Sequence, residues 1–422
     1  MLLACIADDF TGATDLANML VRGGMRTVQT IGVPESGQQI DADAVVVSLK
    51  SRTVDAQEAI DQSLQACRWL QRAGAKQFFF KYCSTFDSTP RGNIGPVAEA
   101  LMHMLGASFA VACPAFPENG RSIYRGHLFV GDVLLNESGM ENHPLTPMRD
   151  ANLVRVLQAQ SQGGVGLAGH EHVQAGPGPL KARLQALQAQ GVSLAIVDAI
   201  SDKDLHTIAQ ACEDHILITG GSGVALGLPA NFERAGLLRH KTQAASLPSI
   251  AGPALVVAGS CSKATQAQVA HWLQSRPGFR IDPLALHQGG PVVEQALAFS
   301  RAHLSQEPVL VYATSTPQEV TRVQHQIGTE RAGQLVEQAL ADVASALVAQ
   351  GVRKLICAGG ETSGAIVRAL GVHTLQVGPQ IDPGVPWMTT QRDSVTMAIA
   401  LKSGNFGTVD FFEKALNMLQ QA

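Results

Sequence analysis

Aromatic and charged residues are both scarce in this chain of 422 residues. Aromatic residues make up 5% of the sequence and charged residues 16%, against 45% hydrophobic residues and 41 glycines. The cores must therefore be built mainly from Ala, Val, Leu and Ile, and the chain must contain many tight turns, as globular enzymes do. The length favours two or three domains over one.

An excess of positive charge is also lacking, and this excludes several kinds of partner. The net charge is −4 and no run of like charges occurs. Nucleic-acid binders usually present a basic face, so we expect no nucleic-acid partner, and the absence of charge runs argues against docking on a membrane surface. No uncharged apolar stretch reaches the roughly 18–20 residues that span a bilayer, and the beginning MLLACIADDF, with acids by position 8, does not resemble a signal peptide.

The cysteines show neither disulfide nor zinc-site spacing. There are seven, an odd number, and no CxxC pair occurs among them. Cys5, Cys113 and Cys357 stand in apolar runs, which predicts buried free thiols. Free thiols are typical of a reducing compartment, so we expect a cytoplasmic protein.

Short apolar runs alternate with helical patterns along most of the chain, which is typical of an α/β fold. The rhythm is interrupted at residues 114–147, an irregular segment rich in Gly, Pro, Asn and Ser with a possible hairpin near 123–130. A second interruption at 239–253 lacks periodicity and is interpreted as a linker. We therefore predict two α/β domains with mainly parallel sheets, at residues 1–238 and 254–422, and an active-site cleft between them.

The first chemical motif is ADDFTGATD, in which a predicted strand ends at two adjacent acids. Asp8 and Asp9 precede Thr11 and Gly12 and the start of a helix. Ligands of open α/β sheets bind beyond the carboxyl ends of strands, where these acids can accept hydrogen bonds from sugar hydroxyls or act as a base. The alternative is that one Asp caps the helix and the other is solvated.

Two further polar turns follow predicted strands in the same half of the chain. SLKSRT contains Arg52, and KYCSTFDSTPRGN contains Lys81, Asp87 and Arg91. An anionic substrate favours such residues, because Arg pairs bidentately with a carboxylate and Lys supplies a point charge. Solvated loops with scattered charges are the alternative, but three such turns in one domain favour a shared substrate site.

The second half contains two small-residue turns between strand and helix, GSCS and GGETSG, and a third glycine loop, SGNFG, that either closes over a base or simply ends a strand. The candidate nucleotide-binding residues are Gly259, Ser260, Ser262, Gly359, Gly360, Glu361, Thr362, Ser363, Gly404 and Asn405. Small residues expose backbone N–H groups at a helix N-terminus, where phosphate binds readily. Neither GxxxxGK[ST] nor GxGxxG occurs. In GPQIDPGVPW, Asp382 is a candidate metal ligand or part of a tight turn.

Taken together, these motifs resemble those of the four-carbon acid sugar kinase family over nearly the whole chain. The resemblance rests on ADDFTGATD, KYCSTFDSTPRGNIG, CPAFPENGRSIYRGHLFV, GSCS, GGETSG, GPQIDPGVPW and LKSGNFG. It implies an N-terminal substrate domain, a C-terminal ATP domain and phosphate transfer with Mg²⁺ to the terminal hydroxyl of a four-carbon acid. The substrate expected first is 3-oxo-tetronate, with D-threonate or D-erythronate as alternatives.

The resemblance also distributes the site residues between the two domains. It places Asp8, Asp9, Arg52, Lys81 and Arg91 at the acid sugar, and it places Ser260, Gly360, Glu361, Thr362, Ser363 and Gly404 at ATP. Other hypotheses remain open here: a haloacid-dehalogenase-type phosphatase, a non-enzymatic acid-sugar-binding protein and a dinucleotide-dependent dehydrogenase. The metal ligands and the oligomeric state, including a possible homo-oligomer, are not legible in the sequence.

Overall fold

The structure is a computed structural model that describes residues 1–35, 37–143, 146–239, 244–392 and 395–421. It divides into two compact units, Met1–Ala245 and Ser246–Ala422. Four residues of the predicted linker (240–243) and two of the predicted irregular segment (144 and 145) lie outside the described residues. The domain bounds derived from the sequence stay a prediction. Among the described residues, no helix combines the length and the apolar character that a membrane span requires.

The first unit is built on a parallel sheet. Its strands are β1 Leu3–Ala7, β2 Thr27–Ile31, β3 Ala44–Ser48, β4 Gln77–Lys81, β5 Ala110–Cys113, β6 Arg121–Tyr124, β7 His127–Val130, β8 Val133–Leu134, β9 Gly164–Ala168, β10 Val192–Val197 and β11 Leu217–Gly220. The main sheet has the order β2-β3-β1-β4-β11-β5-β10-β9, and its pairs are parallel. Strands β1, β3, β4 and β5 are buried throughout, as expected when helices cover both faces of a sheet.

Helices connect these strands. They are α1 Phe10–Arg22, α2 Ala56–Arg72, α3 Ile94–Leu105, α4 Leu153–Gln158, α5 His170–Gln174, α6 Pro177–Ala189, α7 Asp202–Ala211 and α8 Leu228–Arg234. Strands β6, β7 and β8 form a separate antiparallel sheet in the irregular segment, so the predicted hairpin is confirmed. Its turn contains Arg125 at φ 50°, a left-handed conformation that is uncommon outside glycine.

The second unit has a mixed sheet. Its strands are β12 Ala254–Ala258, β13 Gly278–Arg280, β14 Val309–Tyr312, β15 Lys354–Ala358, β16 Thr374–Asp382, β17 Val385–Arg392 and β18 Val395–Lys402. Its helices are α9 Lys263–Trp272, α10 Pro283–His287, α11 Val292–His303, α12 Pro317–Ile327, α13 Thr329–Ala349, α14 Gly360–Ala369 and α15 Phe411–Gln421. The strand order is β13-β14-β12-β15-β18-β17-β16, parallel as far as β18 and antiparallel beyond it.

The turn-rich segment at 378–387 is mostly strand. It runs from the end of β16 through a two-residue turn into β17, and the turn needs Gly384 at φ 75°. Asp382 lies at this turn, where its carboxylate accepts hydrogen bonds from the backbone N–H and hydroxyl of Thr408 and pairs with Lys414. In the structure, Asp382 therefore connects the hairpin to the segment before α15.

The interior is aliphatic, as the composition predicts, with a few aromatic anchors. Trp272 and Trp387 are fully buried in the core of the second unit, and each indole N–H donates to a backbone carbonyl. Cys5, Cys113 and Cys357 are buried free thiols, so that prediction is confirmed. Burial raises the pKa of the Cys113 thiol to about 12, which keeps it protonated and unreactive.

Candidate active site

The charged turns of the first unit meet at one edge of its sheet. Strands β3, β1 and β4 are neighbours, and Ala7, the last residue of β1, is in register with Ser48 and Lys81. Because parallel strands end at the same edge, the segments after them bring Asp8, Asp9, Arg52, Lys81 and Asp87 together. We call these five residues the carboxylate–guanidinium cluster.

Arg52 lies at the centre of the carboxylate–guanidinium cluster. Its Nε and Nη2 donate to the two oxygens of Asp8 at 2.9 and 2.8 Å, and Nη2 also lies 2.5 Å from Asp9 Oδ1. Its Nη1 is 3.9 Å from Asp87 Oδ2. The side chain of Arg52 is 22% exposed. Arg52 therefore holds the acids in place through a bidentate pairing that Lys cannot reproduce.

The two adjacent acids have different environments. Burial raises the pKa of Asp8 above its usual value, although the charge and hydrogen bonds of Arg52 oppose this. Burial also acts on Asp9, but the charges of Arg52 and Lys81 and hydrogen bonds from Gly12 and Thr11 outweigh it and lower the pKa to about 2. Asp9 is thus held ionised at neutral pH.

Asp9 is both a helix cap and an acid of the charged cluster, the two interpretations given for the ADDFTG motif. It is the N-cap of α1, where its Oδ2 accepts from Gly12 N at 3.1 Å and from Thr11 Oγ1 at 2.9 Å, while its Oδ1 faces Arg52. A side chain at position 12 would displace the charged groups, because a Cβ there would lie 2.2 Å from Asp9 Oδ1 and 2.9 Å from Lys81 Nζ. Lys81 is 3% exposed, and its Nζ donates to the carbonyl of Tyr82 at 2.7 Å.

Arg91 stands apart from these residues. It is exposed, and its side chain makes no hydrogen bond or ion pair within the described part of the chain. Asp87 is held by the Thr85 hydroxyl at 2.6 Å. The side chains of the cluster are therefore held by hydrogen bonds and ion pairs, whereas that of Arg91 is not. The roles predicted for these residues at the acid sugar stay predictions.

Sequence reasoning missed two buried residues beside the cluster. The side-chain amide of Asn93 donates to the carbonyls of Ser51, Arg52 and Val54, so it fixes the segment that carries Arg52. Asp15 is buried on α1 within electrostatic reach of Lys81, and burial raises its pKa. Asp15 belongs to the ADDFTGATD motif, and its position on the helix that follows Asp8 and Asp9 could have indicated that it lies near them.

We predict that Arg52→Met destabilises the protein mainly by leaving Asp8 and Asp9 without their cation. Removing one partner of a buried ion pair should lower the free energy of unfolding by about 3 kcal/mol at pH 7. Without Arg52 the pKa values of both acids rise relative to the wild type, so the folded variant binds more protons than the folded wild type, and the deficit should shrink as the pH falls towards about 4. Urea unfolding at several pH values measures this.

Arg26→Met is the matched control for this prediction. Arg26 also pairs with two acids, Asp41 and Asp43, but its side chain is 35% exposed and that of Asp41 is 91% exposed. A surface pair contributes about 0–1 kcal/mol, so the control should lose little. Equal losses in the two variants would contradict the prediction.

The small-residue turns of the second unit also meet at one sheet edge. Strands β12, β15 and β18 are neighbours and parallel, and Ala358 is in register with both Ala258 and Lys402. The turns that follow them begin α9 and α14 and form the loop at 403–408. Two helix N-termini and one glycine loop therefore lie side by side.

These turns are packed closely around their glycines. A Cβ on Gly259 would lie 2.1 Å from Thr362 Oγ1, and one on Gly404 would lie 2.3 Å from Ser260 Oγ. Gly359 is the N-cap of α14 at φ 129°, and a Cβ there would lie 3.1 Å from Ser260 N. These three glycines thus lie close to other predicted residues, and the N-termini of α9 and α14 beside them are suited to phosphate.

A cavity of about 440 Å³ opens beside these turns. Ser260 and Thr362 line it from the glycine turns, and helices α12 and α13 contribute both apolar residues and the polar residues Glu319, Gln324, Thr329 and Glu337. The lining includes Gly259, Ser260, Gly359, Gly360, Glu361, Thr362, Val320, Val323, Ala332 and Val336. A mostly apolar pocket beside two helix N-termini fits a nucleotide, with the base against the valines and the phosphates at the glycine turns.

Four of the predicted nucleotide residues do not line this cavity. Ser262 caps α9 and donates to the carbonyl of Gly404 at 2.6 Å. Ser363 is fully buried and its hydroxyl donates to Cys357. Asn405 is exposed next to Gly404. Ser262, Ser363 and Gly404 thus contact the turns without lining the cavity.

Comparison with known proteins decides the family. Residues 3–228 match a sugar-binding N-terminal domain and residues 255–412 match a nucleotide-binding C-terminal domain. Full-length relatives are kinases: a 3-oxo-tetronate kinase of Burkholderia multivorans is 64% identical over 421 residues, which cover 100% of this chain and 98% of that protein. The chain belongs to the four-carbon acid sugar kinase family.

Other relatives of this four-carbon acid sugar kinase support the same family assignment. A 3-oxo-tetronate kinase of Cupriavidus necator is 62% identical over 422 residues, which cover 99% of this chain and 97% of that protein. The crystal structure of a Haemophilus influenzae protein matches with a TM-score of 0.84 and 44% identity, covering 99% of this chain and 100% of that one. The predicted family and the prediction of two α/β domains with mainly parallel sheets are confirmed.

Proposed function

We propose that this protein is an ATP-dependent kinase that phosphorylates the terminal (4-) hydroxyl of 3-oxo-tetronate. The observation that carries the proposal is the separation of chemistry between the units. The charged turns lie in the part that matches a sugar-binding domain, and the glycine turns lie in the part that matches a nucleotide-binding domain. The relatives named 3-oxo-tetronate kinase support the choice of acid.

On the acid-sugar side, we assign different tasks to the residues of the carboxylate–guanidinium cluster. The side chain of Asp9 is 23% exposed and that of Asp8 is 9% exposed, so Asp9 is the acid that a ligand reaches more easily. Its carboxylate would accept a hydrogen bond from the attacking hydroxyl and orient it. Arg52 would keep both acids in place, and Lys81, with Arg91 from the exposed turn, would supply positive charge for the substrate carboxylate.

On the nucleotide side, positioning and charge do most of the work of phosphoryl transfer. The N–H groups at the start of α9 and α14, with the hydroxyls of Ser260 and Thr362, would hold the ATP phosphates. The valines of α12 and α13 in the cavity lining would cover the base. This assignment rests on the cavity and on the close packing of Gly259 against Thr362 and of Gly404 against Ser260.

Mg²⁺ is proposed to arrive with ATP. It would neutralise phosphate charge, and Mg²⁺ usually keeps several waters and binds through substrate phosphates. Within the described residues, no group of three or more His, Cys, Asp or Glu side chains has the arrangement of a metal site. The use of Mg²⁺, the cytoplasmic location and a homo-oligomeric state stay predictions.

A coupled ADP-release assay tests the function. Purified protein with MgATP is offered 3-oxo-tetronate, D-threonate, L-threonate and D-erythronate, with a blank that lacks acid to measure ATP hydrolysis, and mass spectrometry identifies the phosphorylated product. We expect turnover on 3-oxo-tetronate to exceed that on the other acids by at least about tenfold, since a site built around one hydrogen-bonding pattern rejects its analogues.

Each other outcome changes one part of the proposal. Preferred turnover on threonate or erythronate would keep the kinase and replace the substrate. ATP binding without turnover on any of the acids would overturn the assigned substrate class, and release of phosphate without ATP would indicate a phosphatase.

A further inference from the structure

Lys402, the last residue of β18, is a buried cation without an acidic partner. Its side chain is fully buried, and no carboxylate pairs with it in the described ranges. Its Nζ lies 3.0 Å from the carbonyl oxygens of Ser403, Gly404 and Phe406 and 3.1 Å from Thr265 Oγ1. Burying an unpaired charge is costly, so these four neutral oxygens must carry its stabilisation.

Four neutral oxygens at nearly equal distance are the surroundings that proteins give to a bound monovalent cation. Carbonyl oxygens replace the hydration shell of K⁺ in the same manner, and an ammonium group has a similar charge and size. An ammonium group has only three N–H donors, so at least one of the four contacts is shared. This arrangement differs from a salt bridge, in which direction and charge pairing dominate.

The oxygens around Lys402 belong to the glycine loop of the nucleotide site. The carbonyl of Gly404 accepts from Lys402 Nζ and also from Ser262 Oγ at 2.6 Å and Thr265 Oγ1 at 2.8 Å. The backbone carbonyl of Lys402 accepts from Gly359 N at 2.8 Å. Lys402 is therefore bonded to all three turns that line or support the cavity.

We propose that Lys402 is a positioning residue whose ammonium group serves as a tethered monovalent cation for the nucleotide site. It holds the carbonyls of residues 403–406 inward, so that the loop lies against the turns that begin α9 and α14. The wild-type protein then needs no added K⁺ to bind ATP. The inference rests on the proposed nucleotide site, but it concerns ATP affinity and not the identity of the acid.

A neutral residue, Gln268, also donates hydrogen bonds to carbonyls of the same loop, in its second half. Gln268 Nε2 donates to the carbonyls of Phe406, Gly407 and Thr408, each at 3.0 Å. Gln268→Leu should therefore loosen the loop without creating a site for a cation. This makes it the control that separates general loop packing from the cation role of Lys402.

The test measures the ATP dissociation constant by isothermal titration calorimetry, without any acid sugar. Burial lowers the pKa of Lys402 to about 7, so the titrations are done on the acid side of that value. Because hydrogen bonds to charged groups contribute strongly, Lys402→Met should weaken ATP binding by about 10- to 100-fold. The KM for the acid sugar should change by less than about twofold, since Lys402 and its oxygen partners belong to the second unit and the residues assigned to the acid sugar belong to the first.

Lys402→Ala makes room for an ion and gives the decisive result. We expect K⁺ or NH₄⁺ to restore ATP binding in this variant by at least about tenfold relative to Li⁺ at equal ionic strength, because mass action fills the vacated oxygens. Gln268→Leu should show no such rescue, and wild type should not respond to K⁺. Lys354→Met, the same change on the neighbouring strand β15, should resemble wild type.

Several results would overturn the inference. They are an unchanged ATP affinity in Lys402→Met, no K⁺ or NH₄⁺ rescue of a folded Lys402→Ala, and equal rescue of Gln268→Leu. If Lys402→Ala unfolds in Li⁺, its melting temperature in K⁺ or NH₄⁺ replaces the affinity measurement, and failure of both ions to raise it would count against the tethered cation. A wild type that binds ATP but phosphorylates no acid would refute the proposed substrate and leave this test intact.

Discussion

Asp9→Asn is expected to lower the turnover number by about 10²- to 10⁴-fold, the usual size of a lost acid–base or orienting contact. The KM for ATP should stay within about threefold, because Asp9 lies on the sugar-binding unit. The amide keeps the shape of the carboxylate but accepts hydrogen bonds through only one oxygen. Steady-state kinetics with the acid substrate of the wild type measures both parameters.

Asp55→Asn is the control that separates chemistry from helix capping. Asp55 caps α2 in the same unit and accepts from Gln57 N, just as Asp9 caps α1. Asn caps helices about as well as Asp, so neither substitution should lose a cap, and Asp55→Asn should have normal turnover. Unchanged turnover in Asp9→Asn would remove the role assigned to Asp9 and shift attention to Asp8.

Gly359→Ala is expected to weaken ATP binding by at least about tenfold, through strain and lost space at the phosphate turn. The residue has φ 129°, and a Cβ would lie 3.1 Å from Ser260 N and from Thr362 Oγ1. Relief of these contacts must move the turn that begins α9 or the first turn of α14. The strain itself should also lower the free energy of unfolding by about 1–3 kcal/mol.

Gly351→Ala is a closely matched control for this second prediction. Gly351 precedes β15 at φ 113°, and a Cβ there would meet no atom within 4 Å. The two variants should therefore lose similar amounts of stability in urea unfolding, while only Gly359→Ala loses ATP affinity in calorimetry. Similar ATP affinities in both variants would show that the Gly359 turn does not contact the nucleotide.

Local patterns were enough to locate the chemical motifs along the chain. The strand that ends at Ala7 and the turns at GSCS and GGETSG follow from short apolar runs ended by small or polar residues, whereas the helix expected after Thr11 and Gly12 begins earlier, at Phe10. By contrast, β17 and β18 were not predicted. Their antiparallel pairing with each other and with neighbouring strands is a long-range choice that local propensity does not encode.

The contacts within each site depended on the order of the strands. Nothing in local sequence indicates that β1 lies between β3 and β4, so the pairing of Arg52 with Asp8, 44 residues away, was not predictable. The same holds for Lys402, which appeared only as the start of a glycine loop. Its importance depends on oxygens from Thr265 and the loop, which meet only when β18 lies beside β15.

The sequence alone determined the α/β class, the division of charged and small-residue motifs between two halves and the family. These depend only on residue types and on their spacing along the chain. Tertiary structure decided which charges are already paired, which glycines are closely packed and which lysines are buried. These properties arise from distances between segments far apart in the chain, and such distances exist only once the strands have taken their places in the sheet.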